Sequence, residues 1–341
     1  MSTPTAVVAI GGNALLSGGE TATIAEQFAA ATDLAGPLVN MLESGWRVVV
    51  THGNGPQVGF IKRRSDLAAT LAPELPHLDL DMCVADSQGS IGYILASSFA
   101  SRLRSRNRPD RVAALLTHVL VETSDSAFEA PTKPIGSFYT ESEARRLAAE
   151  HGWAVAEDSG RGWRRVVPSP SPRRVLEQDA IRALVEGDFL VVACGGGGIP
   201  VVETEDRAYQ GVEAVIDKDL TSTHLAAELE ADLLVMMTGV SQVAINFGRE
   251  DERMLHRVPA SEARTHLADG QFPPGSMGPK IEAGLQFLRR GSGEVLVTSP
   301  DHLLASLEGH DGTWLVRDGT DIWADASVST SIGATSSPDR R

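Results

Sequence analysis

Residues 6–16 read AVVAIGGNALL, five apolar residues stopped by Gly11 and Gly12. A short apolar run without polar alternation suits a strand covered on both faces, as in a parallel sheet. Similar runs recur at 47–51 (RVVVT), 112–121, 189–194 (FLVVAC), 233–238 (LLVMMT) and 294–298 (EVLVT). Between them lie helical patterns at 24–44, 87–106, 174–186, 220–230 and 277–290. Strands alternating with helices predict an α/β domain with a parallel-dominated sheet.

In such sheets ligands bind beyond the carboxyl ends of the strands. Four of the runs are followed there by small-residue turns: GGNALL, HGNGPQVG, GGGGIP and GVSQ. One such turn is unremarkable as a tight connection. Four at equivalent ends form a constellation, with exposed amides at 11–13 and 53–55 directed at one point. No GxxxxGK[ST] is present, and the glycines at 195–198 run into extended chain, so neither a P-loop nor a dinucleotide fingerprint is indicated.

The 341 residues carry a net charge of −15. This composition is globular and argues against nucleic-acid and anionic-membrane partners, which need a cationic footprint. The N-terminus has no signal-peptide pattern. Only Cys83 and Cys194 are cysteine, so a reducing, cytoplasmic setting is expected, with both as small core residues.

Of 30 basic residues only four are lysine: Lys62, Lys133, Lys218 and Lys280. The last three sit in PTKPIG, VIDKDL and PGSMGPK. A chain that uses arginine elsewhere but lysine here is expected to need a compact ammonium. Lys280 opens an apolar-periodic helix, where a cation opposes the helix dipole unless it serves an anion. Asp219 reads either as a helix cap for a helix beginning near Leu220 or as a carboxylate that orients lysines. Lysines and amides around one phosphate point to phosphoryl transfer, which needs positioning and cations more than covalent chemistry. His52, in THGNG, reads as loop packing rather than as a base. No metal-ligand spacing of His and Cys is present.

Residues 126–172 break the rhythm and are expected to stand off the sheet as short strands or a hairpin, carrying Lys133 over the site as a lid. The stretch 318–341 is polar and without periodicity, a tail expected to be mobile.

At this point the chain resembles the carbamate kinases of the amino-acid kinase superfamily. The resemblance is carried by VVAIGGNALL (7–16), VVVTHGNGPQVG (48–59), DMCVADSQGSIGYIL (81–95), PTKPIGSFYTESEA (131–144), EDSGRGWRRVVPSPSP (157–172), VVACGGGGIPVV (191–202), GVEAVIDKDLTS (211–222), DLLVMMTGVSQVAINFG (232–248) and FPPGSMGPKIEAGLQFL (272–288). It implies a three-layer αβα sandwich with a mainly parallel central sheet over 1–317, a small protruding subdomain, and a homodimer. The implied reaction is ATP + carbamate ⇌ ADP + carbamoyl phosphate with Mg²⁺, run toward ATP in catabolism.

The resemblance also implies roles residue by residue. Lys218 and Lys280 would stabilise the transferring phosphoryl group, Asp219 would organise them, and Lys133 would come from the subdomain. Gly11, Gly12 and Asn13, with Gly53, Asn54 and Gly55, would hold carbamate and the phosphoryl group. Gly195, Gly196, Gly197 and Gly198, with Thr238, Gly239, Val240, Pro274, Gly275, Ser276 and Met277, would surround the nucleotide. Ser171 stands where the family has lysine in PSPKP, and Ser241, Gln242 and Ala244 depart from its usual nucleotide loop. The rival readings are a kinase of this fold with another small acceptor, and a non-catalytic nucleotide sensor. Retention of DMCVADSQGSIGY and of GRGWRR disfavours the first, and retention of the three lysines disfavours the second.

Overall fold

The computed structural model describes residues 3–11, 22–158, 160–273, 275–291 and 293–319. Strand β1 (Thr5–Ile10) leads through α1 (Ile24–Glu43) to β2 (Arg47–His52), followed by α2 (Gln57–Leu71) and α3 (Leu80–Ser105). Next come β3 (Val112–Ala114), β4 (His118–Leu120), β5 (Lys133–Tyr139), α4 (Glu141–His151), β6 (Ala154–Glu157), β7 (Trp163–Val167) and β8 (Arg174–Val175). Helix α5 (Gln178–Glu186), β9 (Leu190–Val192), β10 (Ile199–Glu203), β11 (Tyr209–Gly211), α6 (Lys218–Glu228) and β12 (Leu233–Met237) complete the middle of the chain. The remainder is β13 (Val243–Ile245), β14 (Arg253–Leu255), β15 (Arg257–Pro259), α7 (Ala260–Ala268), α8 (Met277–Arg290), β16 (Glu294–Thr298), α9 (Leu303–Leu307) and β17 (Thr313–Val316).

The central sheet has eight strands in the order β15-β17-β16-β12-β1-β2-β9-β3. Every neighbouring pair is parallel except β16 with β17. The apolar runs fit this arrangement because both faces are covered. Ala6, Val8 and Ile10 pack with Leu34 and Leu38 of α1 and with Leu95 and Phe99 of α3. On the opposite face Val7 shares a core with Ile181 of α5, Leu225 of α6, and Ile281 and Phe287 of α8. The result is an αβα sandwich. The sheet runs outward from β1 through β2 in one direction and through β12 in the other, so the switch point lies at the carboxyl end of β1.

Element boundaries differ from the sequence reading in several places. The run 112–121 is two strands in different sheets, broken where the Thr117 amide donates to Gln88 Oε1 at 2.8 Å. Helix α3 starts seven residues earlier than the periodicity suggests. Arg174 and Val175 pair with β4 instead of opening α5. Helix α2 went unread because its sequence has little apolar periodicity; only Gln57, Val58, Gly59 and Ala69 are buried.

The stretch expected to stand off the sheet contains a three-stranded sheet, β5-β7-β6, and the helix α4 that the sequence reading did not foresee. Thr140 and Glu143 form a capping box at the start of α4, and Gly152 closes it in the left-handed conformation. A third core joins this unit to the body through Ile135, Val167, Val58, Cys83 and Val84. At its base Gly59 of α2 meets Gly136 of β5 backbone to backbone. A Cβ on Gly59 would lie 2.2 Å from the Gly136 Cα. The tail expected from 318 lies outside the described residues from 320 onward, while Asp318 itself accepts from the Ser261 amide and from Arg264.

Candidate active site

A cleft of about 1710 Å³ lies at the switch point, roofed by the β5-β7-β6 unit. Its wall brings together Gly11, Gly53, Asn54, Gly55, Lys133, Gly196, Lys218, Asp219 and Lys280 from distant parts of the chain. Thr238, Gly239, Val240, Gly275, Ser276 and Met277 also line it. Gly12, Asn13 and Pro274 lie outside the described residues.

The lysines converge through the start of α6. Asp217, not Asp219, is the N-cap: its Oδ1 accepts from the amides of Asp219 at 2.8 Å and Leu220 at 3.4 Å. The helix therefore begins at Lys218, two residues before the expected start. That shift frees the Asp219 carboxylate to face the cleft. Its Oδ1 accepts from Lys218 Nζ at 2.5 Å, and Lys280 Nζ donates to Oδ2 at 3.1 Å. Lys280 arrives from the first turn of α8. Asp217 uses its other oxygen to hold Lys133 of β5.

These largely buried charges support one another. Burial alone would push Asp219 upward, but Lys218 and Lys280 outweigh it and hold the carboxyl far below the ordinary range. Burial pulls Lys218 down and Lys280 adds to that, while Asp219 sustains its charge. Asp217 also stays below its usual value despite burial, because Lys133 sits on it. Two ammonium groups on one carboxylate leave net positive charge facing the cleft, which suits a phosphoryl group that carries charge in the transition state.

The glycine turns divide into two kinds. Gly11 and Gly196 reach the cleft, but Gly195, Gly197 and Gly198 are not among its lining residues. A Cβ on Gly195 would strike His52, on Gly197 the Ile216 carbonyl, and on Gly198 the Val119 side chain, all within 2.4 Å. Their glycine identity thus answers to packing and to positive φ at Gly197 and Gly198. The turn is pinned from outside: Gln88 Nε2 donates to Gly195 O at 2.9 Å and Thr221 Oγ1 to Gly197 O at 2.8 Å. Gly196 abuts Asn54, which places it beside the loop 53–55. The Gly53 amide, expected to face a ligand, instead donates to Ile10 O at 3.0 Å.

His52 is buried, with Nδ1 2.9 Å from Gly53 O, and desolvation pulls its pKa from 6.5 to about 4. Among the described residues no histidine lines the cleft. Ser171 is not on the cleft wall either; its amide donates to Asp125 at 2.9 Å.

The sequence reading missed four contributors. Asp217 was hidden because D-K-D offers two candidate caps, and a one-turn argument cannot choose between them. Arg164 donates to Gly136 O at 2.9 Å and pairs with Asp158 at 3.0 Å, and both line the roof. Phe138 lies under Arg161 and Arg164 at 4.8 and 4.9 Å. Phe247, 70% exposed, lines the cleft at the loop after β13. No local pattern marks the last three; only the folded chain brings them to one wall.

No helix among the described residues is long and apolar enough to cross a membrane. Residues 4–299 match the model of the Amino acid kinase family. The chain is 46% identical over 308 residues to Carbamate kinase 3 of Staphylococcus aureus (strain USA300), covering 90% of this chain and 97% of that protein. It is 45% identical over 312 residues to Carbamate kinase-like protein YahI of Escherichia coli (strain K12), covering 91% and 98%. Among solved structures, carbamate kinase from Giardia lamblia bound to AMP-PNP superposes with a TM-score of 0.83 at 39% identity, covering 93% of this chain and 99% of that one.

Proposed function

The chain belongs to the amino acid kinase family, and from that premise we propose that it is a carbamate kinase, transferring a phosphoryl group between ATP and carbamate. The observation that carries the chemistry is the cluster of Lys218, Asp219 and Lys280 in a cleft whose carboxylates, among the described residues, are all engaged. Asp217 and Asp219 hold lysines, Asp158 holds Arg161 and Arg164, and Glu157 accepts from the Gly160 amide. Such a site suits an acceptor that needs no base. A carbamate oxygen is already anionic: it attacks the γ-phosphorus, the bond to the ADP oxygen breaks, and no proton moves. The lysines stabilise charge on the transferring oxygens, and Asp219 keeps both ammonium groups aimed at them.

Magnesium belongs to the proposal as the counter-ion of the nucleotide. With the cleft carboxylates engaged, its ligands would be phosphate oxygens and water, the common arrangement for this ion. Bound there, it would neutralise phosphate charge. The exposed Phe247, Met254 and Val240 offer the apolar end of the cleft to the nucleotide base. The ATP-forming direction and a homodimer are part of the same proposal.

The test is ATP formation from ADP and carbamoyl phosphate with Mg²⁺, beside the Lys218→Ala variant. ATP from the parent and a drop of two to three orders of magnitude in the variant are expected. A folded parent that binds ADP but forms no ATP would refute the reading.

A further inference from the structure

The segment DMCVADSQGS was singled out in the sequence, yet the reaction as described uses none of it. In the structure it forms the first half of α3 and supplies two buried polar side chains, Ser87 and Gln88. Gln88 pins the glycine turn. Ser87 does something different. Its Oγ donates to Val84 O at 2.7 Å, and Asn54 Nδ2 donates to that same Oγ at 3.0 Å.

This relay fixes the sense of the Asn54 amide. A hydroxyl has one hydrogen, and Ser87 spends it on a helix carbonyl. Toward Asn54 it can only accept, so the amide must present Nδ2 to Ser87. Gly196 packs against the same nitrogen, where a Cβ would lie 2.2 Å away. The Asn54 carbonyl oxygen is left without a hydrogen-bond donor among the described residues, on a side chain that is 4% exposed and lines the cleft. An acceptor on a mostly buried side chain at the cleft wall would discriminate among bound substrates by what it would leave unpaired.

The geometry points to Asn54 Oδ1 as the acceptor that reads the substrate's amino group, and to Ser87 as the positioning residue that holds it in that sense. The inference rests on the carbamate reading and deepens it. Carbamate differs from acetate by NH₂ in place of CH₃, at nearly equal size and shape. The amino group can donate to Oδ1, whereas the methyl group would leave Oδ1 unpaired. A rotated amide would present NH₂ to NH₂ and erase the preference.

The experiment compares carbamoyl phosphate with acetyl phosphate as phosphoryl donors to ADP, in the parent chain and in Ser87→Ala and Asn54→Ala. The parent is expected to favour carbamoyl phosphate in kcat/KM by about ten- to a hundredfold. Both variants should compress that ratio at least about fivefold through loss of carbamoyl phosphate use, with KM for ADP unchanged. An unchanged ratio, or an equal loss with both donors, would overturn the assignment and leave Ser87 a packing residue. A parent inactive with both donors would instead strike the carbamate reading itself.

Discussion

Lys133, the first residue of β5, is ion-paired with Asp217, the residue that caps α6. One carboxylate thus ties the roof of the cleft to the helix that carries Lys218. Asp217→Asn keeps a good cap but removes the charge that holds Lys133. The side chains are about a quarter exposed, so a stability change below about 1 kcal/mol is expected. KM for carbamoyl phosphate should nevertheless rise several-fold, with ADP affinity little changed. Steady-state kinetics beside a melting curve would check this; an unaltered KM would show that Lys133 is placed without Asp217.

Asp219 and its two lysines should respond differently to truncation. Lys218→Ala leaves Asp219 paired with Lys280, and Lys280→Ala leaves it paired with Lys218. Each variant should therefore fold and lose on the order of 10²–10³ in turnover. Asp219→Asn leaves two buried ammonium groups facing one another. It should cost about 3–5 kcal/mol of stability in addition to activity. Denaturant titration of the three variants separates the cases, and equal stability in all three would contradict the geometry.

His52 is expected to shape the acid limb of stability. Its pKa falls from 6.5 to about 4 on folding, because burial disfavours the charged ring. Between those values the unfolded chain binds the extra proton. The contribution is complete above about pH 6.5 and is lost as pH falls toward 4, about 3 kcal/mol in all. His52→Gln should flatten the slope of unfolding free energy in that window. A slope identical to the parent's would mean that the ring is not held neutral.

Cys83 and Cys194 are buried, and desolvation raises both thiols to about 12. At pH 8 roughly one thiol in ten thousand is ionised. A colorimetric thiol reagent should find none in the native protein and two after denaturation. Fast labelling of the native chain would show that either residue is accessible.

How much of this was legible in the sequence depended on how local the cause was. The strands β1, β2, β12 and β16 could be read because a strand covered on both faces needs apolar residues at every position. Lys133, Lys218 and Lys280 stood out against a chain that otherwise uses arginine. The roles of Asp217 and Asp219 could not be separated, because a helix start displaced by two residues exchanges cap and organiser. Gly195–Gly198 were placed around the nucleotide by the resemblance alone, since glycine needed for close packing and glycine needed near a ligand look alike in one dimension. Arg164, Phe138 and Phe247 reach the cleft through tertiary folding alone.

The contact of Gly59 with Gly136 sets the aperture of the catalytic chamber. At that point the roof meets α2 through two bare backbones, and α2 begins at Gln57, just past Gly53–Gly55 and Pro56. One added methyl at 59 would have to lift the roof by about 1.5 Å to reach ordinary contact distance. Lys133 would rise with it, away from Asp217. A position that touches neither phosphate nor lysine therefore governs how far apart the chamber's two jaws stand, and the smallest side chain there is also the only one that lets them meet.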